Sequence, residues 1–128
     1  MKQADVVKMS VEEFVFITGF CLPDIQNGVR DVLDLGVYEL YITAGKKCAF
    51  YAGWEEYGFV DGFSVETVDS TGCGDAFLGA ILYMNTHCPE ASLRNKTRFA
   101  NAVGALCSTK HGGIGAMLEM NEVYELLN

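Results

Sequence analysis

An extended stretch, Ser64 to Val68, leads through Gly72-Cys73-Gly74 into a helical pattern that starts at Asp75. This order of strand, glycine loop and helix constrains the fold more than any other part of the chain. Glycines in such a loop let the backbone take unusual φ/ψ values and come close to a ligand. The N–H groups of the first helical turn point back at the loop. Together with the helix dipole they form a site for anionic oxygens. The spacing argues against two other phosphate-binding loops. A G-x-G-x-x-G dinucleotide fingerprint needs glycine where Phe77 stands, and a P-loop needs a Gly-Lys-Ser/Thr that does not follow. What remains is an anion hole beside an acid. A carboxylate there repels ground-state phosphate, but it is well placed to take a proton from a hydroxyl that attacks the phosphate. Local chemistry leaves two readings of Asp75 open. It is such a base, or it only complements the helix dipole, worth roughly 0.3–1 kcal/mol.

The segments around the loop read as alternating strands and helices. Asp5 to Met9 is a short buried strand. Ser10 and Glu13 form a capping-box pattern, which predicts a helix from there to Gly19. Pro23 and Asp24 open a second helix, with Ile25, Val29, Val32 and Leu33 at helical spacing and Gly36 as its stop. Tyr38 to Thr43 is the next strand, and Ala44-Gly45-Lys46 turns the chain. Cys48 to Tyr51 and Glu56 to Val60 read as a strand pair joined through Gly53 and Trp54. Asp75 to Thr86 is a helix with Phe77, Leu78, Ile81 and Leu82 on its apolar side, and Pro89 breaks it. Ser92 to Thr109 is a long helix, apolar or small at Phe99, Val103, Leu106 and Cys107, and Glu119 to Leu127 a short closing one. The pattern predicts an α/β fold with a mixed sheet.

The 128 residues suit one compact domain or part of one, and no polar or Pro/Gly-rich linker divides them. A formal net charge of −8 argues against a nucleic-acid or anionic-membrane partner. It leaves phosphate binding open, because a helix start holds phosphate with backbone N–H groups alone. The apolar run Phe14 to Phe20 is too short to span a bilayer. Five cysteines stand singly, without zinc spacing, which fits reduced thiols in a cytoplasmic protein and predicts that most are buried as small hydrophobes. His87 and His111 have no partner at ligand spacing and are expected at the surface.

Val68-Asp69-Ser70-Thr71-Gly72-Cys73-Gly74-Asp75-Ala76-Phe77 resembles the C-terminal signature of the PfkB/ribokinase family of carbohydrate kinases. The resemblance extends along the chain. Ala4 to Glu13 looks like the family's strand and [NS]-x-x-E helix start, and Ile42 to Lys47 like its T-x-G-x-x-G nucleotide loop. Arg98 to Ala102 and Lys110 to Gly112 look like its closing helix and turn. The Ser10 start, the Lys46-Lys47 turn and the Cys107 to Gly112 end are most similar to bacterial fructokinases, with ribokinase and 2-keto-3-deoxygluconate kinase as alternatives.

The resemblance implies the C-terminal part of a ribokinase-like doubly wound sheet with flanking helices, and ATP-dependent phosphorylation of a sugar hydroxyl. It implies that Asp75 is the base and that the N–H groups of Gly72, Cys73 and Gly74 stabilise the transferring phosphoryl group. Such effects amount to about 10²–10⁴-fold for a base and about 10²–10³-fold for one anion-hole donor. Glu13 would organise Mg²⁺ through water, Thr43, Ala44, Gly45 and Gly74 would line the ATP, and Asn101 would sit near the adenine. In members activated by K⁺, the positions of Asp69 and Thr71, with carbonyls near Cys107, Lys110 and Gly112, hold that ion.

The departures from the family pattern are Ser10 for the commoner Asn, Cys48 for the last loop glycine, Cys73 for Ala, and Gly112 to Ala116 for G-A-x-P-[AS]. The first strand lies almost at Met1. Against the family this predicts that residues 1–128 are a C-terminal half without the sugar-binding half and lid, inactive alone. A free sheet edge there predicts a homo-oligomer. A nucleotide-binding module without turnover is the competing expectation.

Overall fold

The computed structural model describes residues 6–19, 25–45, 47–63, 65, 72–109, 125 and 127. Eight elements follow in order: β1 (Val6–Ser10), α1 (Val11–Thr18), α2 (Ile25–Leu33), β2 (Glu39–Ala44), β3 (Cys48–Ala52), β4 (Tyr57–Asp61), α3 (Cys73–His87) and α4 (Leu93–Ser108). The strands form one sheet in the order β1-β2-β3-β4, with β1 and β2 parallel and the other two pairs antiparallel. Helices pack on both faces, so the mixed α/β sheet expected from the sequence is present.

Period-two alternation sends the two sides of each strand into different cores. Tyr41, Ala49, Tyr51 and Val60 pack with Phe77, Ile81, Phe99 and Ala100 of α3 and α4. Leu40, Ile42 and Ala52 pack on the opposite face with Phe14 of α1 and Val32 and Leu33 of α2. Tyr41 meets Phe77 edge to face at 6.0 Å between centroids, a favoured aromatic geometry.

The element ends have local causes. Ser10 caps α1 in a complete capping box, its Oγ accepting from Glu13 N at 3.1 Å while Glu13 Oε1 accepts from Ser10 N at 2.8 Å. Gly19, in the left-handed region at φ 78°, closes that helix. Ser92 caps α4. The helix expected to start at Asp75 begins at Cys73 instead. Gly72 makes the left-handed turn at φ 79° and is itself the N-cap, so Asp75 falls inside the first turn.

Several side-chain expectations change. Leu82 is 50% exposed, because α3 buries Phe77, Ala80 and Ile81, and Leu82 points off that face. Among the cysteines, Cys107 is buried and Cys48 and Cys73 are half-buried, but Cys88 is exposed where α3 ends ahead of Pro89. His87 is at the surface as expected, stacked on Tyr83 at 4.2 Å. Of the extended Ser64–Val68 stretch only Val65 is described, and not as strand; His111, Cys21, Lys46 and most of the closing helix lie outside the described residues, although Glu125 and Leu127 are helical.

Candidate active site

The parallel pairing sets Ser10 beside Thr43, so the carboxyl ends of β1 and β2 share one edge of the sheet. In open α/β sheets ligands collect at that edge. A cavity of about 360 Å³ opens there. It brings together Thr43 and Gly45 from the turn after β2, Cys73 and Gly74 from the start of α3, and Asn101 from α4. Ala44 and Gly72 adjoin these residues in the chain without lining the cavity.

Gly45 has φ 60°, the left-handed conformation that the turn into β3 requires, and Lys47 N donates to Ala44 O at 3.2 Å across it. Cys48, standing for the family's last loop glycine, opens β3 opposite Ala44. Its thiol is pushed up by burial, with Asp61 adding to the effect.

Gly72, the N-cap of α3, has no side chain to cap the helix. The backbone N–H groups of the first helical turn and the helix dipole suit an external anion. Asp75 sits exposed in that turn. α4 passes close by: a Cβ on Gly104 would lie 3.6 Å from Cys73 O.

The Asn101 amide donates to the carbonyls of Val60 and Asp61 at 3.3 and 3.4 Å while lining the cavity. It therefore also ties α4 to the end of β4. Glu13 is exposed on α1, and its carboxyl is held below the ordinary range by the Ser10 backbone and side-chain bonds and then by the Lys8 charge. Among the described residues no three His, Cys, Asp or Glu gather as a metal cage. Mg²⁺ needs no such cage, since it keeps several waters and takes one or two carboxylates plus substrate phosphates. An ionised Glu13, whose Oε1 accepts from Ser10 N, fits that donor set. Asp69, Thr71, Lys110 and Gly112 lie outside the described residues.

Other lining residues are absent from the sequence-based set. Gly104, Ala105 and Ser108 line the cavity with Asn101, at spacings that form one face of α4. That small-residue stripe was the available signal. Gly62, Phe63 and Val65 complete the wall from the chain after β4, where no sequence pattern marks them. Lys8 is a further addition. A Cβ built on Gly74 would lie 2.7 Å from Lys8 Nζ, so this ammonium rests against the first turn of α3. A lysine inside the apolar run Val6-Val7-Lys8-Met9 was its signal.

The comparisons with known proteins agree with this architecture. Residues 1–120 match the pfkB family carbohydrate kinase, and the chain belongs to that family. It is 38% identical over 132 residues to Fructokinase-2 of Oryza sativa subsp. japonica, covering 99% of this chain and 39% of the relative. It is 38% identical to Probable fructokinase-4 of Arabidopsis thaliana, covering 98% of this chain and 40% of that protein. The structure of fructokinase from Vibrio cholerae O395 with fructose, ADP and calcium superimposes with a TM-score of 0.84 at 33% identity, over 98% of this chain and 41% of that one. Fructokinase from Xylella fastidiosa with bound ATP gives 0.83 at 31% identity, over 98% and 43%. The fold is thus ribokinase-like, and the chain spans about two fifths of the length of these relatives. No helix among the described residues is long and apolar enough to cross a membrane.

Proposed function

We propose that this chain supplies the ATP site, anion hole and general base for phosphorylation of a sugar hydroxyl, as the C-terminal half of a fructokinase-like enzyme. One observation carries the reading. The turn after β2, the glycine-led start of α3 and Asn101 surround a single cavity at the carboxyl edge of the sheet, with Asp75 in the helix's first turn. Relatives called fructokinases support it, two of them solved with ADP and fructose or with ATP.

In this reading the adenosine part lies against Thr43, Ala44, Gly45 and Asn101, and the phosphates reach the N–H groups of Gly72, Cys73 and Gly74. Asp75 accepts the proton of the attacking hydroxyl, the form of base catalysis that phosphoryl transfer uses. Glu13 would help hold Mg²⁺ through water, and that ion would supply charge neutralisation on the phosphates. Asp69 and Thr71 are the K⁺ positions if the enzyme is of the K⁺-activated type. Fructose is the favoured sugar, ahead of ribose and 2-keto-3-deoxygluconate. Because the chain spans 39% of its rice relative, the second reading is a nucleotide-binding segment without turnover of its own.

Two incubations test this. The chain alone with Mg²⁺–ATP and fructose should bind nucleotide and release no ADP above background. A chimera with this chain in place of the matching 41% of the Vibrio cholerae fructokinase should phosphorylate fructose. A chain that binds no nucleotide, together with an inactive chimera, rejects the proposal; turnover by the chain alone rejects the inert-segment reading. Among the described residues the outer edge of β1 has no strand beside it. We expect homo-oligomers through such an edge, and sedimentation as a clean monomer at high concentration would rule that out.

A further inference from the structure

The helices α1 and α2 leave part of their sheet face uncovered. Their core takes in Leu40, Ile42 and Ala52, and β4 lies beyond it. In the β3–β4 register Tyr57 stands opposite Ala52 and Phe59 opposite Phe50, so the four share that face. Tyr57 is 66% and Phe59 54% exposed, and the Phe50 and Phe59 rings lie 5.8 Å apart between centroids. Trp54, between the two strands, is 59% exposed. A cavity of about 570 Å³ is enclosed by these aromatics and α2, within the range of small-molecule sites, about 300–1,000 Å³. Ile25, Val29 and Leu33 form its helical wall, and Gln26 and Arg30, one turn apart, are exposed at its rim. It shares no lining residue with the cavity at the start of α3. The chain has 17 acidic against 9 basic residues, yet no Asp or Glu lines this cavity, and Arg30 is the one charged residue that does. Among the described residues the Arg30 side chain has neither a hydrogen bond nor an ion pair.

We propose that this second cavity binds a small aromatic monocarboxylate, its ring on the shelf of Phe50, Trp54, Tyr57 and Phe59 and its carboxylate on Arg30. The lining selects that chemistry. Aromatic side chains take a further ring offset or edge to face. One guanidinium presents paired N–H donors that match the two oxygens of a carboxylate. A phosphate ester carries up to two charges and three acceptor oxygens, most of which a single arginine leaves unmatched. A free sugar needs a partner for each hydroxyl, and Gln26 and Arg30 are the only lining side chains with amide or charged groups. A cation would meet Arg30 with no carboxylate in the lining to offset the repulsion. The site lies on the sheet face opposite the core of Tyr41 and Phe77, so it stands or falls separately from the ATP-site reading.

Trp54 is the one tryptophan of the chain, so its fluorescence reports on this cavity directly. The test titrates the chain with phenylacetate, with the neutral phenylacetamide and with the cationic phenethylamine. Phenylacetate should shift Trp54 emission to shorter wavelength in a saturable way. The amide should bind about tenfold more weakly, the size of one charge-assisted hydrogen bond, and the amine more weakly still. Arg30→Gln should lower phenylacetate affinity about tenfold and leave the amide within about twofold. Retained amide binding also reports that the variant is folded. No saturable response to phenylacetate, equal affinity for acid and amide, or an acid affinity that Arg30→Gln leaves unchanged overturns the proposal. So does emission that shifts with protein concentration and not with phenylacetate, because a second copy of the chain would then cover this face.

Discussion

Replacing Asp75 by asparagine is expected to lower turnover of the fructokinase chimera by about 10²–10⁴-fold while nucleotide affinity stays near its starting value. The substitution keeps size and hydrogen-bonding capacity but removes the basic carboxylate. Asp75 lies in the first turn of α3, so the same change also removes a favourable charge from a helix N-terminus. That loss is roughly 0.3–1 kcal/mol. It would appear as a small drop in stability and cannot account for a large loss of rate. The two roles left open by local chemistry therefore separate in one experiment. Steady-state kinetics and a denaturant melt on the same variant suffice. Turnover within a few fold of normal, with only the stability change, would assign Asp75 to the dipole alone.

The second large effect concerns stability. Lys96 is 4% exposed, and Glu39 Oε2 is its ion-pair partner at 3.2 Å. The other oxygen of Glu39 accepts from Tyr41 Oη at 2.6 Å and from Asn85 Nδ2 at 3.2 Å. Burial, followed by this hydrogen bond to Glu39, holds the Tyr41 hydroxyl above its ordinary pKa, so it remains a neutral donor. Removing one partner of a buried pair costs about 3–5 kcal/mol, because a charge is left without compensation. Glu39→Ala should reach that range, since it strands Lys96 and takes the acceptor from Tyr41 and Asn85. Lys96→Met should cost clearly less, because Glu39 is 19% exposed and keeps two donors. Urea melts of the two variants decide the order. Equal losses, or a larger loss for Lys96→Met, would contradict this account of the network.

Features set by neighbours in the chain were legible in the sequence. The Ser10–Glu13 capping box, the helix stop at Gly19 and the turn at Gly45 depend on residues at most four apart, and all three are present. The assembly of Thr43, Cys73, Gly74 and Asn101 around one cavity followed from the family pattern, because no local rule joins a β-turn to the middle of a helix. Contacts made only by the folded sheet were not legible. Glu39 and Lys96 are 57 positions apart, and no sequence pattern pairs them. Lys8 meets Gly74 only because β1 lies beneath α3. The early start of α3 was missed for a backbone reason: the left-handed turn at Gly72 lets the helix begin before its first side chain of helical character.

The parallel register of β1 against β2 has one more consequence. Val6, Lys8 and Ser10 share a parity, and Val7 and Met9 have the other, which belongs to the greasy layer around Phe14 and Leu40. Inserting or deleting a single residue within β1 would exchange the two sets. An ammonium would then be driven into that hydrocarbon layer, and Val7 and Met9 would turn towards α3 and α4. The strand thus works as a sorting rule: it keeps its one charged side chain out of the layer around Phe14 and Leu40, and frame within those five residues decides which core each side chain enters.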